Sequence, residues 1–280
     1  MKYEIININI DYEKLGAKSS GYQPYMAAYI PDNLPGIQMD RKRPTVVICP
    51  GGGYSRTADR ESEMLAFKFI AADCNAVIVR YDCAPVGFPV QLIEVASVIA
   101  TIRKNAEEWN VDTEKIVVMG FSAGGHLAAS YGTLWNRDFV KEYFGFESGE
   151  HKPNGMVLCY PVITSGEKAH RGSFNNLLGD KKDDPEILEL VSVEKQVSED
   201  TPPAFIWHTF EDASVPVENS LLMANALAKN KINTELHIFP HGWHGLSICD
   251  KSVFHPNTYQ GEYDDYQVWL DMAIRWLKNL

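Results

Sequence analysis

Ile116-Val117-Val118-Met119-Gly120-Phe121-Ser122-Ala123-Gly124-Gly125-His126-Leu127-Ala128-Ala129-Ser130 is the stretch whose reading decides the fold. Four apolar residues lead into Gly-x-Ser-x-Gly, and an Ala/Leu-rich run at helical spacing follows. The stretch therefore reads as a buried strand that turns through one serine into a helix. A serine on so tight a turn is held at strained backbone angles, and a Cβ at either flanking position would crowd it; Gly120 and Gly124 remove that clash. The helix behind Ser122 aims backbone N–H groups at any oxyanion forming there. Ser122 is thus the candidate nucleophile. The competing reading, a chance motif in which Gly124-Gly125 only lets a helix pack on a sheet, is weakened by the strand before it and the helix after it.

Outward from this stretch, the chain alternates strand and helix. Upstream, Tyr3 to Ile10 and Tyr22 to Ile30 read as an opening antiparallel pair, the first of them an edge strand. Thr45 to Cys49 is a continuous apolar strand, the mark of a parallel sheet buried on both faces. Helical periodicity follows over Arg60 to Ala72, then a strand at Ala76 to Tyr81, then a helix from Leu92 to Trp109. Downstream, Asn136 to Gly155 looks irregular, and strands follow at Met156 to Tyr160, Pro202 to Thr209 and Thr234 to Pro240. Helices are expected at Val217 to Lys229 and at Tyr266 to Leu277. The pattern implies an α/β fold, a mostly parallel twisted sheet of approximately eight strands with helices on both faces, in a single domain spanning 1–280. Within it, 164–200 lacks sheet character and is expected to be a cap-like insertion over the site, with a helix at Pro185 to Val191 after the solvated charge run Asp180 to Asp184.

The totals narrow the partners. Across 280 residues, 37 acids against 26 bases leave a net charge of −11, and the densest basic run is Arg41-Lys42-Arg43. Phosphate backbones and anionic membranes would be repelled, so nucleic acid and membrane are excluded as partners and a neutral small-molecule substrate is expected. Five scattered cysteines with no Cys-x-x-Cys read as buried free thiols, and no metal site is expected. Met1-Lys2-Tyr3-Glu4 opens no signal-peptide apolar region, and no apolar run has transmembrane length, so a cytoplasmic location is expected. Self-association is left open.

A serine hydroxyl needs a base, and that base a carboxylate, all delivered to one end of the sheet. The loops after the last two predicted strands supply Asp212 and His244, in the order Ser, Asp, His. Glu211 is the reserve carboxylate and His241 the secondary histidine. Asp212 is preferred for its shorter side chain, and His244 for the Gly245 that follows it. His126, His208 and His237 read as structural, while His151, His170 and His255 receive no role. After the core strand at Thr45 to Cys49, Pro50-Gly51-Gly52-Gly53-Tyr54 is entropically costly unless its backbone must approach something closely. Gly52, Gly53 and Ala123 are the expected oxyanion donors, and Tyr54, His241 and Trp243 the expected substrate contacts.

Together, Pro50 to Tyr54, Gly120 to Ala129, Thr201-Pro202-Pro203, His208 through Pro216 and Gly242-Trp243-His244-Gly245 resemble motifs of the α/β-hydrolase superfamily. Within it they are similar to the acetyl esterase and lipase group related to acetyl xylan esterases and the hormone-sensitive lipase family. The resemblance implies cofactor-free hydrolysis of short acyl esters, acetyl groups on sugars or xylan-derived oligosaccharides above all. One departure is Pro50, where the lipase branch usually has histidine. Two other functions fit the fold: a peptidase of the prolyl oligopeptidase type, which uses the same triad order, and a binding protein that kept the architecture without the chemistry.

Overall fold

The computed structural model describes residues 1–145 and 149–280. Eight strands form one sheet among the described residues: β1 (Lys2–Asn7), β2 (Tyr25–Ile30), β3 (Arg43–Cys49), β4 (Asn75–Arg80), β5 (Val111–Phe121), β6 (Gly155–Cys159), β7 (Ala204–Thr209) and β8 (Thr234–Phe239), in spatial order β1-β2-β4-β3-β5-β6-β7-β8. The pairs β1/β2 and β2/β4 are antiparallel; from β4 to β8 every pairing is parallel. The chain leaves β3 for β4 on one side and returns to β5 on the other. Between β3 and β5 the sheet therefore has a topological switch point, where the strands' carboxyl ends open a crevice. Cys49 pairs with Gly120 there, which sets the glycine turn directly beside Ser122.

The continuous apolar strands are explained by cover on both faces. Helices α1 (Glu63–Ala71) and α8 (Val268–Lys278) pack on one face, where Leu65, Phe69, Trp269 and Leu277 meet Ile48, Met119 and Trp207. On the other face lie α2 (Val90–Lys104), α3 (Ala123–Leu134) and α7 (Glu218–Lys229), through residues such as Ile99, Leu127 and Met223 against Val47, Val118 and Ile206. Each such aliphatic side chain contributes about 1.5–3 kcal/mol on burial. An aspartate at Val118, fully buried in β5, would strand a charge with no partner and is the kind of single change that unfolds such a sheet.

Two local expectations change. Asn136 to Gly155 is not all irregular: it holds α4 (Asp138–Phe144), closed by left-handed Gly145, while residues 146–148 of that expected irregular stretch lie outside the described residues. The helix expected from Leu92 to Trp109 ends at Lys104, and the remainder, with buried Trp109, is a turn into β5. The insertion contains α5 (Arg171–Leu178) and α6 (Pro185–Val191). Asp184 caps α6 by accepting from the N–H groups of Glu186 and Ile187. The five cysteines are unpaired thiols, four of them buried. Among the described residues no helix is long and apolar enough to cross a membrane.

Candidate active site

Ser122 sits at φ 54°, ψ −118°, a strained conformation for a residue with a side chain, between the end of β5 and the first turn of α3. The flanking glycines permit it. A Cβ on Gly120 would lie 1.9 Å from Gly124 O, and one on Gly124 would lie 2.1 Å from Cys49 O. No rotamer change relieves a clash with backbone, so these positions admit nothing larger.

Two loops at the same sheet end bring polar groups to that hydroxyl. Ser122 Oγ lies 2.7 Å from His244 Nε2, and His244 Nδ1 lies 2.6 Å from Asp212 Oδ2. An ionised carboxylate only accepts, so Nδ1 carries the proton and Nε2 accepts from the serine hydroxyl. Asp212 Oδ1 accepts from the N–H groups of Ser214 and Val215, both at 2.9 Å. His208 Nε2 lies 3.3 Å from Oδ2. Burial opposes ionisation of Asp212, yet the bonds from His208 and His244 outweigh it and hold the carboxyl well below its usual range.

The glycine turn faces Ser122 across the switch point. Gly52, at φ 125°, could carry no side chain, since a Cβ there would lie 2.2 Å from Arg56 O. Gly51 N–H donates to Glu61 Oε2 at 2.6 Å. Among the described residues the N–H groups of Gly52, Gly53 and Ala123 meet no protein acceptor, which leaves three donors beside Ser122. The turn is braced from several sides. Asn176 of α5 donates to Gly53 O at 2.8 Å, and Tyr54 Oη lies 2.8 Å from His126 Nδ1. His126 Nε2 in turn lies 2.8 Å from Val191 O at the end of α6, so one buried imidazole ties the turn and the insertion to α3. Burial holds His126 neutral, its pKa lowered to about 4.

Three expected substrate contacts lie elsewhere. Left-handed backbone at Tyr54 turns its ring inward, where it is buried with its hydroxyl engaged by His126. His241 is exposed and pairs with Glu211 at 2.9 Å, so the reserve carboxylate and secondary histidine face each other, away from Ser122. Trp243 packs edge-on against Phe254, Tyr259 and Tyr263 and lines a neighbouring hollow that shares Arg60 with the Ser122 pocket.

Two residues in the crevice had no assigned role in the sequence. His170, in the insertion, lines the roughly 300 Å³ pocket shared by Ser122, His244, Gly52 and Gly53. Its Nδ1 caps α5 by accepting from Ser173 N, and burial followed by the nearby His244 lowers its pKa. The spacing His170-x-x-Ser173 hints at a helix cap; nothing in it points to the pocket. Glu61 is buried, its Oε1 accepting from Tyr160 Oη at 2.8 Å, while Tyr160 Oη accepts from Ser247 N at 2.9 Å. That chain links the glycine turn to the His244 loop. Burial pushes the Glu61 carboxyl up despite the bonds from Gly51 and Tyr160. Among the described residues no group of three His, Cys, Asp or Glu side chains is placed to hold a metal ion.

The family described as BD-FAE matches residues 33–227. The chain belongs to this family of α/β-hydrolases. The BD-FAE match includes Ser122 and Asp212 and ends before His244. The chain is 38% identical over 242 residues to endo-1,4-beta-xylanase B of Butyrivibrio fibrisolvens, covering 84% of this chain and 36% of that protein. It is 28% identical over 240 residues to an acetylxylan esterase of Xylanibacter ruminicola, covering 84% and 46% respectively. It therefore spans less than half the length of these two relatives. Among solved structures, an acetyl ester-xyloside bifunctional hydrolase from Caldicellulosiruptor lactoaceticus superposes with TM-score 0.81 at 34% identity, over 99% of this chain and 96% of the other. A carboxylesterase from Lactobacillus plantarum gives TM-score 0.85 at 26% identity, over 100% and 98%. Carboxylic ester hydrolysis is named in three of these four.

Proposed function

We propose that the chain is a serine carboxylesterase that removes short acyl groups, acetyl above all, from sugars or xylan-derived oligosaccharides. The single observation carrying this reading is the continuous hydrogen-bonded series Ser122 Oγ, His244 Nε2, His244 Nδ1, Asp212 Oδ2, beside three N–H donors without acceptors. Ser122 Oγ attacks the acyl carbon as its proton passes to His244 Nε2, and Asp212 stabilises the resulting imidazolium. The carbonyl oxygen becomes an oxyanion facing Gly52, Gly53 and Ala123. On collapse the C–O bond to the sugar breaks and His244 returns the proton to the departing alcohol oxygen. Water, deprotonated by His244, then attacks the acyl-enzyme, releasing acetate and restoring the Ser122 hydroxyl. The insertion contributes His170 to the lining of this pocket and braces Gly53 from behind through Asn176. The acetylxylan esterase and the acetyl ester-xyloside hydrolase among its relatives support the substrate class.

The test is turnover of p-nitrophenyl acetate and of acetylated xylose by the parent and by Ser122→Ala. Removing a triad member leaves only the residual catalysis of binding and oxyanion stabilisation, so kcat should fall by about 10⁴-fold or more. A parent inactive on both substrates, or a variant with parental kcat, overturns the reading.

A further inference from the structure

Beside the Ser122 pocket lies a second hollow of about 430 Å³, within the usual size range of small-molecule sites. It opens among Ser20 and Tyr22 near β2, the turn Ser55 to Thr57, Arg80 at the end of β4 and Tyr81 to Ala84 beyond it. Arg56 lines both cavities, so the two share a wall at the carboxyl edge of the sheet. Neither the fold nor the triad needs this space.

Its chemistry is that of a glycosyl site. Sugars present a C–H face suited to an aromatic ring and a rim of hydroxyls that need both donors and acceptors. Tyr22, 43% exposed, and half-buried Tyr25 supply ring faces. The Tyr22 hydroxyl is already committed to Arg80 O at 3.3 Å, which fixes the ring and leaves its face as the binding feature. Beneath them, fully buried Asp82, anchored by Tyr12 Oη at 2.6 Å and approached by Ser20 Oγ at 3.5 Å, adds negative charge to the lining, while the Ser20 and Ser55 hydroxyls and the exposed Asp59 carboxylate are the acceptors a sugar hydroxyl could reach. Arg80 is held by Asp59 at 3.1 Å and donates to Thr57 at 3.1 Å. With Asp59 and Asp82 offsetting the guanidinium groups, a phosphate or other anion is not favoured, and the mixture of fixed donors and acceptors suits neutral hydroxyls.

We infer that this hollow is a subsite for the glycosyl unit adjoining the acetylated one, so that the substrate is an acetylated oligosaccharide chain lying across Arg56 with its ester at Ser122. The inference rests on the esterase reading and adds chain length as the selected property.

The experiment compares kcat/KM on monoacetylated xylose, xylobiose and xylotriose for the parent, Tyr22→Ala, which removes the ring face, and Ser20→Trp, which fills the hollow. Binding energy from parts of a substrate remote from the reacting bond should raise kcat/KM by about tenfold from xylose to xylotriose in the parent. Both variants should lose most of that gain, chiefly through KM. No gain with length in the parent, or an unchanged xylotriose-to-xylose ratio in Ser20→Trp with native circular dichroism, overturns the subsite and leaves the esterase reading standing. No turnover of any of the three sugars or of p-nitrophenyl acetate overturns the esterase reading and the subsite with it.

Discussion

Two buried carboxylates stand on opposite sides of Ser122, and they behave in opposite ways. Asp212, on the His244 side, and Glu61, on the glycine-turn side, are both under 6% exposed. Burial works against the charge of each. Asp212 accepts from two backbone N–H groups and from His244, with His208 close by, and its pKa is lowered. Glu61 accepts from one N–H and one phenol, and its pKa is raised. The number of donors and their ability to carry positive charge decide the sign. The difference separates two settings: Asp212 is held as an anion beside the His244 imidazole, as the proposed mechanism requires, whereas Glu61 fastens the backbone of two loops.

The most severe break in this comparison is Asp212→Asn. It should lower kcat on p-nitrophenyl acetate by about 10⁴-fold, because the amide no longer holds the correct His244 tautomer or stabilises its cation. A loss below tenfold would mean that the Asp212 charge is idle. Next comes Glu61→Ala, which frees Gly51 N–H and Tyr160 Oη. Misplacing the donors by about 1 Å should cost about 10²-fold in kcat, with Glu61→Gln, which keeps one acceptor oxygen, recovering part of it. Equal kcat in Glu61→Ala and the parent would remove the fastening role.

Stability against pH sharpens the contrast, because the two signs differ. The folded pKa of Glu61 lies above its ordinary 4.5, so the folded state holds the proton longer and stability falls as the pH rises from about 4.5 through the folded value. The folded pKa of Asp212 lies below its ordinary 3.8, so its contribution is full above that value and is lost as the pH falls toward the folded one. Melting temperatures from pH 3 to 8 should show Glu61→Gln gaining on the parent as the pH rises. Asp212→Asn should gain on the parent only as the pH drops below about 4. Parallel curves for either variant and the parent would contradict the assigned sign.

The smallest effect belongs to Glu211→Gln. This carboxylate is exposed and, among the described residues, its ion pair is with exposed His241. Such pairs are worth about 0–1 kcal/mol, so Tm should move by less than about 4 °C and kcat/KM by less than about twofold. A tenfold loss in kcat/KM would make Glu211 a partner of the Asp212 site after all.

Ser122, Asp212 and His244 are legible in the sequence because each follows a strand announced by an apolar run or, before His244, by polar-apolar alternation, and parallel strands deliver their trailing loops to one rim. The alternation of strands and helices is legible for the same reason. Contacts between residues remote in the chain are not. Tyr54, expected at the substrate, turns inward at a left-handed position; His241 and Trp243 leave the crevice with the turn at Gly242. His170 and Glu61 enter it from segments with no local mark of function.

Periodicity and glycine spacing alone determined the α/β order of elements, the strained turn at Ser122 and the three side chains that converge on it, since these follow from local backbone preference and from which face must be buried. Only the tertiary structure decided the side-by-side placement of β3 and β5, the bracing of the glycine turn by His126, Asn176 and Glu61, and the hollow beside Arg56. Those depend on distances between segments up to about 120 positions apart, and such distances are set by packing, which no local pattern encodes.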